Sequence, residues 1–512
     1  MQPDMHSIIA PRAASSETGT VNNILKALAA CAAVATLGSC TVGPDFRRPD
    51  APSTSRYTET PMPQETISSP VTAGEAQRLV PGADIPAQWW ALYRSEPLDR
   101  LIRQAIADSP DLAAAQATLR EAKENLIASS GTLLYPQVDA SLSATREKIS
   151  AAQLGGTSGA TNVFNLYNAS VNVSYLLDAF GGSRREIEGV QALVDYQSFQ
   201  LEGAYLALTS NIVTAAVKEA QLRAQISATR DIIAAEEKQL DLTQRQYQLG
   251  AVARLGVLAL KTELEQTRAT LPPLERDLAR TRHQLAVLVG RLPSEAALPT
   301  FELDSLALPQ ELPVTVPSEL VRQRPDIRAS EALLHQASAQ IGVATANLYP
   351  KITLSAAFGS ATNQFHDIFA GPSVWSIGAG LLQPLFHGGA LEAQRRAAIA
   401  AYDAANAQYR ETVLQGFENV ADALRALETD ARALSAQAEA ESAARQTLDL
   451  TTRQFQLGGA SYLALLIAQR QYQQAKLALA QAQATRLADT AALFQALGGG
   501  WWNREATAAA TK

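Results

Sequence analysis

Charge and aromatic rings are both scarce in this chain. Asp, Glu, Lys and Arg make up 18% of the 512 residues, and Phe, Trp and Tyr 6%. A globular core of large side chains is hard to build from that mixture. Long helices packed through small residues suit it better, and Ala, Leu and Gln crowd the second half. Cysteine occurs twice, at Cys31 and Cys40, which excludes a disulfide framework and a cysteine metal site. The five histidines (His6, His283, His335, His366, His387) form no pair at i, i+3 or i, i+4. They read as ordinary surface or packing residues, and no metal or other cofactor is expected. No Lys/Arg tract stands out and the net charge of −7 is mild, so nucleic acid is not an expected partner. A nucleophile–base motif and a phosphate loop are also missing, so no enzymatic activity is expected. No helical segment is apolar all round, which excludes membrane helices.

Residues 24–40 read ILKALAACAAVATLGSC. Lys26 supplies positive charge, and Ala27 to Leu37 form an apolar run too short to span a membrane as a helix. It ends in Leu37-Gly38-Ser39-Cys40, which looks like a bacterial lipobox. Cleavage before Cys40 would expose its thiol and amine for acylation, and several acyl chains anchor stably where one does not. Thr41 follows; in sorted lipoproteins, which this resembles, a residue other than Asp there favours the outer membrane. The mixed stretch before Lys26 is long for a signal, which a translation start at Val21 would explain. Residues 41–96 are rich in proline and poor in periodicity. They read as an extended arm that ends at Trp89-Trp90 and enters a helix.

The rest of the chain is one unit written twice. LDLTQRQYQLG (Leu240–Gly250) returns as LDLTTRQFQLG (Leu448–Gly458). Pro110-Asp111 matches Pro325-Asp326, Tyr135-Pro136 matches Tyr349-Pro350, and Phe180 with Gly182 matches Phe386 with Gly388. A longer loop near 148–163 in the first copy, against 361–373 in the second, explains a drift in offset. Each copy reads helix, two strands, long helix, turn, helix, with heptad-like apolar spacing in the helices. Pro110 and Pro325 sit near helix starts, and Gly250 and Gly458 break the last two helices. Arg184 to Gln248 runs about 65 residues, roughly 100 Å as helix. Segments near 98–131 and 254–290 are about half that and would match it stacked end to end. The expected boundaries are a lipoprotein signal (1–39), the arm (40–96), a first repeat (97–300), a connecting equatorial segment (301–316), a second repeat (317–497) and a tail (498–512).

Four segments alternate with period two. Tyr167, Ala169, Val171, Val173 and Tyr175 share one face, with Asn168, Ser170, Asn172 and Ser174 opposite. Val138, Ala140 and Leu142 do the same, as do Ile352, Leu354, Ala356 and Phe358, and Trp375, Ile377, Ala379 and Leu381. A soluble half-buried sheet is one reading. The polar partners are small rather than charged, however, as in a wet lumen. Aromatics lie on the apolar face, where membrane barrels carry girdles, so Tyr167, Val171, Tyr175, Leu354, Phe358 and Trp375 are expected to face lipid. Four strands cannot close a barrel, and open edges are not tolerated in lipid. Several chains must contribute; a dimer and a trimer both fit.

Residues 317–356 resemble the signature of outer-membrane factors, the TolC-like channels, in their NodT-type lipoprotein branch. So do Leu271–Leu274 (LPPL), Thr281–Gly290 (TRHQLAVLVG), Leu497–Trp501 (LGGGW) and Val42–Pro49 (VGPDFRRP). The resemblance implies a membrane β-barrel joined to a long α-helical barrel. In a homotrimer, four strands per chain complete one twelve-stranded barrel in the outer-membrane bilayer, above a periplasmic coiled-coil tunnel built from the two repeats. It implies a passive conduit for drugs, solvents or metabolites, partnered by a periplasmic adaptor and an inner-membrane transporter of resistance or major-facilitator type. The channel of a type I protein-secretion system is the alternative. A periplasmic coiled-coil scaffold would explain the helices but not the strands.

The tip and gate are expected at Arg245, Gly250, Arg453, Gly458, Leu463, Leu466 and Ile467. Arg245 and Arg453 each follow an aspartate (Asp241, Asp449) by four residues. That spacing fits a helical i, i+4 pair, or arginines that also bond between neighbouring helix pairs. Relatives often carry Leu-Leu-Asp-Ala-Gln-Arg where this chain has Leu465-Leu466-Ile467-Ala468-Gln469-Arg470, and their aspartate faces the lumen at its narrowest point. Ile467 here implies an apolar constriction without an acidic ring, unless it faces a neighbouring helix. Asp241 and Asp449 lie roughly 13 Å along the helix from the turn glycines, beyond a Debye length of about 8 Å.

Overall fold

The structure is a computed structural model that describes residues 41–150 and 161–504. Cys40, the segment before it, the 151–160 stretch and the last eight residues lie outside the described part. Two compact units divide the chain: Met1–Arg47, Glu124–Ala192 and Leu334–Ala404 form one, and Arg48–Lys123, Leu193–Leu333 and Ala405–Lys512 the other.

The two halves repeat each other element by element. The first carries α1 (Glu96–Asp108), α2 (Pro110–Leu134), strands β2 (Gln137–Ser150) and β3 (Thr161–Leu177), α3 (Gly182–Gln248) and α4 (Arg254–Leu288). The second carries α5 (Pro317–Gln323), α6 (Pro325–Ala346), β5 (Lys351–Thr362), β6 (Ser373–Leu382), α7 (Ala390–Gln456) and α8 (Tyr462–Ala496). The long helices α3 and α7 are both 67 residues, and their partners α4 and α8 both 35.

One helix was expected over 98–131; the chain instead breaks at Ser109, whose ψ of 121° is extended. Proline at 110 disfavours helical backbone in the residue before it, so α1 ends there and α2 starts on the proline. Arg324 before Pro325 repeats the break, at ψ 125°. The strands outrun the period-two pattern, because β2 and β3 continue pairing to Ser150 and Thr161.

In the second unit the short helices meet end to end. Past α4, Gly290 lies against Asp108 and Pro110 at the head of α2, with a φ of 72° and no room for a Cβ. Past α8, Gly498 lies against Gln323 and Arg324 at the head of α6. There Arg324 donates to the Ala496 carbonyl at 2.7 Å, satisfying one orphan acceptor of the helix end.

The arm is better ordered than its proline content suggested. Four of its residues form β1 (Arg78–Pro81), paired in parallel with β4 (Glu311–Val314). Trp89 then stacks on Phe494 at 5.3 Å, and the buried Tyr93 hydroxyl donates to the Leu487 carbonyl. Arg486, fully buried, donates to the carbonyls of Ala73 and Glu75 and to the Thr66 hydroxyl. Burial pulls its guanidinium below the usual range.

In the first unit, Val42 N–H donates to the Phe180 carbonyl just after β3. Arg185 grips the same strap through Asp45 at 2.6 Å, and Phe46 stacks on His335 at 4.3 Å.

Candidate functional site

In the first unit, β2, β3, β5 and β6 form one antiparallel sheet in that order. Its register unites the apolar positions. Val171 stands opposite Ala140 on one side and Phe358 on the other, and Phe358 opposite Trp375. Tyr175 faces Leu354, and Tyr167 lies two alternations beyond Val171 on the same face, against Phe365. All six residues expected to face lipid therefore share one face. Phe358 is 63% exposed, Trp375 72% and Ile377 78%. A continuous apolar face of that size is not left bare to water. The opposite face carries small polar groups: Ser141 and Ser170 bond at 2.9 Å, and Asn172 donates to Ser141. Among the described residues, β2 and β6 each lack a second neighbour, so the sheet ends in two rows of unpaired backbone groups.

In the second unit, each long helix turns into its partner through a left-handed glycine. Gly250 has φ 77° and Gly458 φ 76°, each in open space, so backbone conformation alone selects glycine. The closing bonds match: Ala251 N–H to Gln246 O and Gly459 N–H to Gln454 O, both 2.8 Å. Leu249 and Leu457 sit beside them, 85% and 88% exposed. Arg245 pairs with Asp241 at 2.7 Å. No ion pair joins Arg453 to Asp449, so the repeat's symmetry fails there. Leu463 and Leu466 line a cavity of about 550 Å³ between the two hairpins, with Leu255, Phe455 and Tyr462. Ile467 points out of the chain's own packing, 48% exposed, while Leu465 and Ala468 beside it are buried.

Above the turns lies a polar cluster that sequence reasoning missed. Arg470 on α8 binds both carboxylate oxygens of Glu263 on α4, each 2.8 Å from Nε. Glu236 on α3 is 2% exposed; Thr267 donates to its Oε1 at 3.2 Å, and its Oε2 has no partner. Burial is the main cause that pushes the Glu236 carboxyl up to about 7, and the neighbouring Glu263 adds to it. Burial and the same two carboxylates push the Tyr462 phenol up as well. One signal was present: Thr229, Glu236 and Thr243 recur every seven residues, a buried polar seam in an otherwise apolar heptad.

A family model described as outer membrane efflux protein matches residues 101–291 and 316–499. The chain is 30% identical over 417 residues to the pyoverdine export outer membrane protein OpmQ of Pseudomonas aeruginosa, covering 81% of this chain and 87% of that one. It is 30% identical over 474 residues to the toluene efflux pump outer membrane protein TtgC of Pseudomonas putida, covering 91% and 94%. The solved outer-membrane channel OprN superposes with a TM-score of 0.81 at 28% identity, over 90% of this chain and all of that one. Paired half-length and full-length helices, a four-stranded sheet with an apolar face and these matches agree, and the chain belongs to the outer membrane efflux protein family.

Proposed function

We propose that three copies of this chain close one twelve-stranded barrel in the outer membrane and pass small organic molecules outward. The single observation behind this reading is the four-stranded sheet with one exposed apolar face and two free edges. Four antiparallel strands start and finish in opposite directions. Pairing β6 of one copy with β2 of the next therefore stays antiparallel and keeps the apolar face outward around the ring. The relatives named for pyoverdine and toluene support small-molecule export over protein secretion. A periplasmic adaptor would meet the helix turns, and an inner-membrane pump would supply the energy. Native mass spectrometry in detergent is expected to show three chains; a stable monomer with full strand content would sink the trimer.

Cys40, outside the described residues, is proposed to carry the lipid. The strap that follows it is fastened at Val42, Asp45 and Phe46, so an acyl group would be tied close to the body of the first unit. Cys40→Ala should abolish acylation and leave unprocessed precursor. An N-terminal peptide of unchanged modification in the variant would remove the proposal. The barrel itself is expected to insert in either case, since its apolar face carries most of the membrane affinity.

A further inference from the structure

The Glu236 cluster sits where the two hairpins of the second unit pack together. Glu236 belongs to the α3–α4 hairpin, as do Glu263 and Thr267; Arg470 and Tyr462 belong to α8. Arg470 is the cation beside Glu236 that links the hairpins, as Lys476 does to Asp231 further along α8, and Glu263 already holds it with both oxygens. Its Nη2 also reaches Gln266 at 3.2 Å. No donor bonds the second oxygen of Glu236, nor is the Tyr462 hydroxyl partnered. Gln239, one turn along α3, is turned to Thr243. The groups facing Glu236 are thus one carboxylate, one guanidinium already committed to it, one phenol and one hydroxyl. A protonated Glu236 fits this surrounding. An ionised one places a second buried negative charge beside Glu263 with a single cation between them, a costly arrangement unless water enters or the helices part. Toward the turns lies the apolar cavity between the hairpins, empty space that lets α8 shift.

We propose that Glu236 is a proton-operated latch: with its proton it lets α8 pack on the α3–α4 hairpin, and when the proton leaves to water the two hairpins separate, so the periplasmic tip opens as pH rises. This rests on the channel reading of the chain. The carboxyl is held up to about 7 by burial, which sets the sign. A group whose folded value lies above its unfolded one stabilises packing fully at low pH and ceases to do so as pH rises through the folded value. The window is therefore from the usual carboxylate range up to about 7, inside the range a periplasm experiences.

The test uses the purified full chain, in detergent and in planar bilayers. Between pH 6 and pH 8 the ionised fraction of a group titrating near 7 rises about tenfold. Open probability of the unmodified channel is expected to rise in similar proportion, and thermal stability to fall over the same interval. Glu236→Gln should hold the pH 6 behaviour at both values. Thr267→Val removes the hydrogen bond that favours the carboxylate and should move the midpoint to higher pH. A Glu236→Gln channel with the wild-type pH response, a flat wild-type profile, or an unmoved midpoint in Thr267→Val would each overturn the latch. If no current is seen at any pH, the channel reading fails instead, and the stability titration still decides whether Glu236 titrates with packing. Should Glu236→Gln not fold, the midpoint of Thr267→Val carries the decision.

Discussion

Val171→Arg will keep the channel out of the outer membrane, while Asn172→Arg will leave it there. The two residues are neighbours on β3 and differ only in face. Val171 is central on the apolar side, between Ala140 and Phe358. A lipid-facing arginine near the bilayer midplane costs about 2–4 kcal/mol. A trimer would carry three, a total comparable with the net stability of many folded domains. Asn172 stands on the polar side opposite Asp139, where an added guanidinium meets water and a carboxylate. The measurement is the amount of trimer in the outer-membrane fraction of cells expressing each variant. Loss only in Asn172→Arg would show that the faces have been assigned the wrong way round, and equal loss in both would remove the distinction between them.

Ile467→Asp is expected to create a trivalent-cation block that the unmodified channel lacks. Around a threefold axis the substitution would place three carboxylates at one level. Each unit-charge pair contributes about 1 kcal/mol at 4 Å even at the dielectric of water. Three carboxylates around a trivalent ion make nine such pairs, so even after mutual repulsion, screening and ion dehydration take back most of that sum the blocking concentration should fall by a factor on the order of a hundred or more. Arg470, one turn further on, is the nearby cation that could neutralise the new group, and Glu263 already holds it on two oxygens. The half-exposed setting of Ile467 leaves its side chain free of the chain's own core. Bilayer recordings with a trivalent cation on the periplasmic side decide the matter. Strong block of the unmodified channel would place an acidic gate elsewhere, and an unblocked Ile467→Asp channel would take this residue away from the constriction.

Much of this fold was legible in the sequence because its elements are long. A 67-residue helix repeats its apolar spacing many times over, and strands with one apolar and one polar face alternate from residue to residue. The duplication doubled the signal. Short or non-local features stayed hidden. The pairing of β1 with β4 involves four residues on each side, more than two hundred positions apart, and four residues show no period. The break at Ser109 is decided by the proline after it, a local rule that a helical pattern running through both sides conceals. In the candidate site, the turn glycines were readable from the repeat, but the Glu263–Arg470 pair joins residues 207 positions apart. Charged residues spaced like that look like ordinary surface until the helices are laid side by side. The failed symmetry of Arg453 was hidden for the opposite reason: identical sequence suggested identical pairing, and the two turns do not sit in identical surroundings.

The two free edges of the sheet have a genetic consequence. If three copies share the pore wall as proposed, no seam has a spare copy, so a chain with a spoiled edge spoils the ring that accepts it. In a cell making equal amounts of sound and edge-defective chains, random mixing leaves about one ring in eight free of the defect. Alleles that disturb pairing along β2 or β6 while preserving assembly through the helices should therefore behave as dominant. Alleles that prevent folding altogether should be recessive, since their products never reach a ring.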